Sequence, residues 1–262
     1  MITTRINFVL KPNGLVGWQL NELKTLSHHF RSVVVVFNLT RDKKALLTHT
    51  LQVLSMGSNP GDLCQIAIEG LDAELACMVI TEYLRDHSLL ISTSHKQNRH
   101  AEHIFNTHSA FKLPFSLKWH YSNSLSCPTK QTALYEISQQ LVPHNPIDIL
   151  QALEQRETVS STLIGSGIAL PHIMHPSITH PTLAVHVVDN ELNWSATLSP
   201  VSMIITLLLP SACDKTVLKP ITKLTRWLLD QDHRQLLIDA QREETIKAIL
   251  LHVMVKEESF AN

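Results

Sequence analysis

Glycine is scarce in this chain, at 7 of 262 residues. Collagen-like repeats and glycine-rich linkers are thereby excluded. Cysteine is sparse too: Cys64, Cys77, Cys127 and Cys213 stand far apart with no C-x-x-C pair. Neither a disulfide framework nor a thiolate zinc site is expected, and the thiols read as reduced, in a cytoplasmic protein. Neither sign of charge is in excess, since 22 Lys plus Arg against 23 Asp plus Glu leave −1. That balance lacks the basic surplus of a phosphate-backbone binder, and no direct contact with nucleic acid is expected. The longest apolar run, Met203 to Leu209 with Val201 just before it, falls far short of the roughly 20 residues a spanning helix needs. The opening MITTRINFVL has neither the basic start nor the cleavage site of an export signal.

What is present suits packed cores: 44% hydrophobic and 17% charged residues exclude global disorder, and the length fits two domains. Histidine is plentiful, with 16 copies. Six of them (His87, His95, His100, His103, His108 and His120) fall where periodicity is weak. His100 and His103 can share a helical face and hold a metal. Two nitrogens without an acidic or thiol cluster make a poor site, however, and a polar His-rich connector is the plainer account.

Periodicity divides the chain into blocks 1–87, 88–128 and 129–262. In the first, RINFVL, SVVVVF and LCQIAIE read as strands and Leu15 to Leu26 as a helix, because apolar residues recur at intervals of two or of three to four. Thr40 to Lys44 reads as a turn and Leu46 to Met56 as helix-like, and Asp72 can cap a helix running through Leu84. Residues 88–128 read as a connector with partial structure. In the last block Asn145-Pro146 opens a helix. Leu163-Ile164, Leu183 to Val188 and Val201 to Leu209 are strand candidates, the last two continuous enough to be covered on both faces. Leu218 to Leu228 and Arg242 to Met254 are helices. Two mixed domains of α+β or α/β class are expected.

The sharpest local signal is RETVSSTLIGSGIALPH, Arg156 to His172. Two of the seven glycines bracket Ser166, where they allow positive φ and leave backbone amides free for an anion. A Rossmann turn would need a glycine at Leu170, and a nucleophile elbow would need G-x-S-x-G. An imidazole is a competent nucleophile near neutral pH. Arg156 can pair with a phosphoryl group while Ser161, Thr162 and amides hold its other oxygens. Phosphoryl transfer through His172 is one reading, and a histidine that merely sits in a loop after Pro171 is the plain one.

That segment resembles the active-site string R-E-x-x-x-S-T-x-I-G-x-G-I-A-x-P-H of sugar phosphotransferase system (PTS) IIA domains of the fructose, mannitol and nitrogen-regulatory type. The similarity runs from about Thr129 to Met254 and includes ALYEIS before the motif and LLLP after it. It implies a IIA-type mixed β-sheet flanked by helices. His172 would take a phosphoryl group from a phospho-HPr-type donor and pass it to a IIB domain, with Arg156 beside it. No metal or organic cofactor is needed for that step, and the link to a membrane transporter is peripheral. The resemblance departs at Val217, where the family places a second histidine. The helix there is expected to start near Thr216 so that Pro220 stays in its first turn. Loss of one such donor costs about 2.7–4 kcal/mol in other transfer sites; Lys219 or His175 either compensates or is simply a solvated side chain.

Residues 1–87 resemble HPr, the phosphocarrier of the same system, through KPNGLVGWQLNEL, VVVVF and LCQIAIEG. This implies an open-faced β-sandwich of four strands and three helices. Where HPr reads N-G-L-H-A-R-P, Asn13-Gly14-Leu15 is followed here by Val16, Gly17, Trp18 and Gln19, so the nucleophile is missing. His28, roughly 18 Å along the helix from Val16, cannot replace it, and His49 reads as a surface residue. The block is expected to bind rather than react. Trp18 then either presents an apolar docking group or packs against the rest of the chain. Besides a phosphocarrier, a regulatory binding protein acting on a transporter or transcription regulator remains open, as does a purely structural role.

Overall fold

The computed structural model describes residues 2–95, 98–165, 167–195, 200–240 and 242–256. Two compact units emerge, Met1–Lys112 with Gln241–Asn262, and Leu113–Ala240. The first contains β1 (Ile2–Leu10), α1 (Gly17–Ser27), β2 (Val33–Asn38), β3 (Lys43–Leu46), α2 (Thr50–Ser55), β4 (Leu63–Gly70), α3 (Ala73–His87), β5 (Ser88–Thr93) and α4 (Ala101–Thr107). The strands pair in the order β3-β2-β4-β1-β5, all antiparallel. Alternation decides the core: Ile6 and Phe8 of β1, Val34 and Val36 of β2, and Ile66 and Ile68 of β4 share one face. They pack there with Leu20 and Leu23 of α1 and Ile80 and Leu84 of α3.

The four strands and three helices expected are present, and β5 is added at the β1 edge. Its sequence, SLLIST, is short and mixed, as an edge strand with one neighbour allows. β3 lies partly where a turn is expected, because only Ala45 of its four residues is buried and so short a segment leaves no alternation. Asp72 takes the N-cap position of α3, yet its carboxylate accepts from the Arg31 N–H and the Ser32 hydroxyl rather than from α3's own amides.

The second unit comprises β6 (Lys118–Leu125), α5 (Lys130–Leu141), α6 (Pro146–Val159), β7 (Leu163–Gly165), β8 (Ile168–Ala169), β9 (His172–His175), β10 (Thr182–Leu192), β11 (Val201–Pro210), α7 (Lys215–Trp227) and α8 (Gln231–Ile238). The sheet order is β6-β10-β11-β8-β7, with β9 also on β11. It is mixed: β10 runs antiparallel to β11 and parallel to β6, and β8 and β9 run parallel to β11. The two most apolar runs, β10 and β11, are central. On one face Ile204 and Leu208 meet Leu134, Ile137, Ile149 and Leu153 of α5 and α6.

α7 begins at Lys215, with Asp214 Oδ1 accepting from the amides of Thr216 and Val217. Pro220 is therefore the sixth helical residue, past the first turn expected for it, and the α-helical bond to the Thr216 carbonyl is not made.

The last helix, α9 (Glu243–Val255), belongs to the first unit. Periodicity alone places it in the 129–262 block, and residues 88–128, read as a connector, are shared between the units as β5, α4 and β6. Buried polar groups hold α9. Asn7 Nδ2 donates to Ser92 Oγ and to Thr245 Oγ1, both at 3.1 Å, and Gln65 Nε2 donates to Asn7 Oδ1 at 2.8 Å. Lys247 pairs with Glu102 at 2.7 Å. His252 Nδ1 donates to the Ala110 carbonyl at 3.1 Å while its Nε2 accepts from Thr40 Oγ1 at 2.8 Å. The sheet face opposite the α1 and α3 core is thus covered by α9.

Candidate phosphoryl-acceptor site

β11 carries two short strands end to end along one edge. β8 lies opposite Met203 and Ile204, and β9 opposite Leu207 to Pro210. Between them the Leu207 amide donates to the Pro171 carbonyl at 3.0 Å. His172 opens β9, paired with Leu207, so the residue after Pro171 is fixed in a strand rather than a loop. Gly165 and Gly167 have φ of +92° and +78°, the left-handed conformation glycine tolerates. The Gly167 carbonyl accepts from the amides of Ser202 (2.8 Å) and Met203 (3.1 Å), which sets the register of β8 on β11. Ser166 lies outside the described residues.

Two contacts fix the half-buried imidazole of His172. Nδ1 lies 2.9 Å from the Leu170 carbonyl oxygen, which has no proton to give, so Nδ1 carries the hydrogen. Nε2 accepts from Arg156 Nε at 3.2 Å. Both demand the same neutral tautomer, with its lone pair on Nε2. Arg156 sits in the last turn of α6, where a cation suits the helix dipole, and its Nη1 donates to the Ser160 carbonyl at 2.9 Å. The two residues line a cavity of about 560 Å³ whose other walls include Val159, Leu207, Leu209 and Ile221.

The other expected site residues are placed differently. The hydroxyls of Ser161 and Thr162 donate to Glu157, at 3.0 and 2.6 Å, instead of standing ready for a phosphoryl group. The reason is the carboxylate, whose side chain is 7% exposed and needs donors. Lys219 is exposed on α7 and is not a wall of the cavity, whereas His175 is, with Nδ1 accepting from the Ser177 amide at 3.2 Å. Val217 is half-buried at the third position of α7.

Glu157 is the residue that the sequence reading left without a role. Oε1 accepts from Lys130 Nζ (3.3 Å), Ser161 Oγ and Trp194 Nε1 (3.0 Å), and Oε2 from the Thr162 amide (2.9 Å) and hydroxyl. Burial pushes its pKa up, but the Thr162 and Ser161 hydrogen bonds and the Lys130 charge outweigh that and hold it below the usual carboxylate range. One sequence signal pointed here: a carboxylate in the last turn of a helix opposes the dipole and has to be held by something else.

In the first unit, Val16 occupies the N-cap of α1, and its amide donates to Gln19 Oε1 at 3.1 Å. His28 is the C-cap at the other end of that helix, and His49 is exposed at the start of α2. Trp18 is 55% exposed and meets the His87 ring edge-on. His100 and His103 are exposed at the start of α4, and no group of three or more His, Cys, Asp or Glu suited to a metal occurs among the described residues. No helix among them is long and apolar enough to cross a membrane.

Fold and site together define a mixed-sheet α+β protein that presents an arginine-contacted histidine from an edge strand. Residues 120–253 match the family described as phosphoenolpyruvate-dependent sugar phosphotransferase system, EIIA 2, and the chain belongs to that family. The matched residues extend into α9, so they span both units. The chain is similar to the fructose-specific EIIA component of the PTS from Haloferax volcanii, 28% identical over 106 residues, which cover 40% of this chain and 69% of that protein. It spans only 13% of multiphosphoryl transfer protein 1 of Escherichia coli K12, at 26% identity over 106 residues. Among solved structures, nitrogen regulatory protein IIA-Ntr from Neisseria meningitidis aligns at 25% identity and a TM-score of 0.45, covering 50% of this chain and 92% of that one. A Mycoplasma histidine-containing phosphocarrier protein aligns at 20% identity and a TM-score of 0.31, covering 34% and 99%.

Proposed function

We propose that this protein is a phosphocarrier in which His172 Nε2 accepts a phosphoryl group from a phospho-HPr-type protein and hands it to a IIB domain. In the first step the donor's N–P bond breaks, its electron pair stays on the donor ring, and a bond forms from the Nε2 lone pair to phosphorus. Arg156 then turns from the imidazole to the phosphoryl oxygens, whose charge it balances. One observation carries this reading: the lone pair of His172 is left on the nitrogen that faces Arg156, at the wall of an open cavity. Transfer of this kind needs position and charge rather than a separate base.

The first unit would serve in docking rather than transfer, because Val16 has no nucleophilic atom. Val16 and Val217 also favour a second reading, a regulatory protein whose phosphorylation state controls a partner. Incubation with phosphoenolpyruvate, enzyme I and HPr, followed by intact-mass measurement, tests the carrier. One acid-labile phosphoryl group is expected, absent in His172→Ala and formed at least tenfold more slowly in Arg156→Ala. Wild type that gains no mass refutes phosphocarriage and leaves the regulatory reading. A gain that survives His172→Ala moves the site elsewhere.

A further inference from the structure

Glu157 touches neither nitrogen of His172, yet two routes connect it to both of them. Along one, the Thr162 amide and hydroxyl are held by Oε2, the Thr162 carbonyl accepts from the Leu170 amide at 2.9 Å, and the Leu170 carbonyl accepts from His172 Nδ1. Along the other, the Ser160 carbonyl just before the clamped Ser161 hydroxyl accepts from Arg156 Nη1, and Arg156 Nε donates to His172 Nε2. The carboxylate gathers donors from three further places in the unit, namely Lys130 at the start of α5, the link 161–162 and Trp194 after β10. Lys130 Nζ also stands 6.0 Å over the Trp194 ring, so the cation is held from two sides.

A carboxylate with five donors is matched to its shell in a way an amide is not. In glutamine one oxygen becomes an NH2 group, which would face N–H or O–H donors and expel at least one of them.

We propose that Glu157 is a positioning residue for His172. By clamping the 160–162 segment it holds the imidazole as the Nδ1–H tautomer, with Nε2 directed at Arg156. The inference rests on reading His172 as the phosphoryl acceptor, but its primary test does not require phosphorylation.

The experiment uses the full chain with 15N-labelled histidine. Long-range 1H–15N spectra report the His172 tautomer, identified by its loss in His172→Gln, and the rate of phosphorylation by phospho-HPr is measured alongside. Wild type and the control Glu154→Gln should show one tautomer, with a protonated Nδ1 and a bare Nε2. Glu157→Gln should show a mixture of tautomers, and its kcat should fall roughly tenfold or more with KM for the donor little changed. Thr162→Val, which removes only one hydroxyl donor, should shift both readouts in the same direction and stands in if Glu157→Gln does not fold. Should wild type not be phosphorylated at all, the carrier reading fails, while tautomer mixing in Glu157→Gln still supports the clamp. A folded Glu157→Gln, or Thr162→Val in its place, that keeps the wild-type tautomer overturns the proposal, whatever its melting temperature.

Discussion

His252 shows what one buried imidazole costs a protein in acid. Its residue is 6% exposed; burial, partly offset by the Ala110 carbonyl, pushes its pKa from 6.5 down to about 4. The hydrogen bonds agree, since Nδ1–H donates to Ala110 and bare Nε2 accepts from Thr40. An unfolded chain takes up a proton near pH 6.5, and the folded chain refuses it until about pH 4. Stability is therefore lost as pH falls through that window, at up to about 1.4 kcal/mol per pH unit for this group. His186, also pushed down to about 4 by burial and then by the charge of His120, adds to the slope. His252→Gln can offer a donor and an acceptor in the same order without titrating. Denaturant unfolding at pH 5, 6 and 7 should show it with a slope lower by up to one proton, and an unchanged slope would mean that His252 titrates normally. None of this was legible beforehand. Sixteen histidines look alike in a sequence, and burial by residues far along the chain separates them. His172 was legible because its neighbours form a motif, and Glu157 escaped because a carboxylate's donors are not its sequence pattern.

At the level of elements, the two short strands on β11 depend on the turn before them. Gly167 has a positive φ, and a Cβ there would stand 3.0 Å from Ser202 Oγ, beside the carbonyl that sets the register. Gly167→Ala should destabilise the protein by about 1–2 kcal/mol from the backbone conformation alone, with further loss from the contact. Thermal unfolding should register a drop of at least about 2 °C; an unchanged midpoint would show that the turn readjusts freely. The glycines' conformation was readable from sequence because so few glycines are present and two fall within three residues. Long apolar strands such as β10 and β11 were readable too. β8 and β9 were not, since two to four residues give no periodicity, and α8 was missed for a similar reason. Its eight residues run polar from Gln231 to Gln235 and then apolar from Leu236 to Ile238, without a full apolar face.

At the scale of the chain, α9 ties its far end to the first unit, where it covers one face of the sheet. RINFVL reads only as a strand, and Ile6 and Phe8 do share one buried face, but Asn7 on the other face is also buried, at 2% exposed. A buried asparagine needs partners, and sequence cannot say that Thr245, 238 residues away, is one. Ending the chain after Ala240 would take the Thr245 partner from Asn7 and Ser92, open both and Gln65 to water, and bare the apolar surface next to them. The truncated protein should lose the cooperative unfolding of the first unit and bind a hydrophobic dye, as read by calorimetry and fluorescence. A truncated chain that retains a native melting transition for that unit would show α9 to be an accessory.

An order of events on the ribosome follows from this arrangement. Leu113–Ala240 is a continuous stretch and can mature as soon as it emerges. The sheet begun at Ile2 must wait, one flank bare, through the synthesis of some 130 further residues before the helix that seals it is made. Between the synthesis of Lys112 and that of Gln241 this sheet therefore lacks its cover, and a message cut within that interval would release it with one side bare.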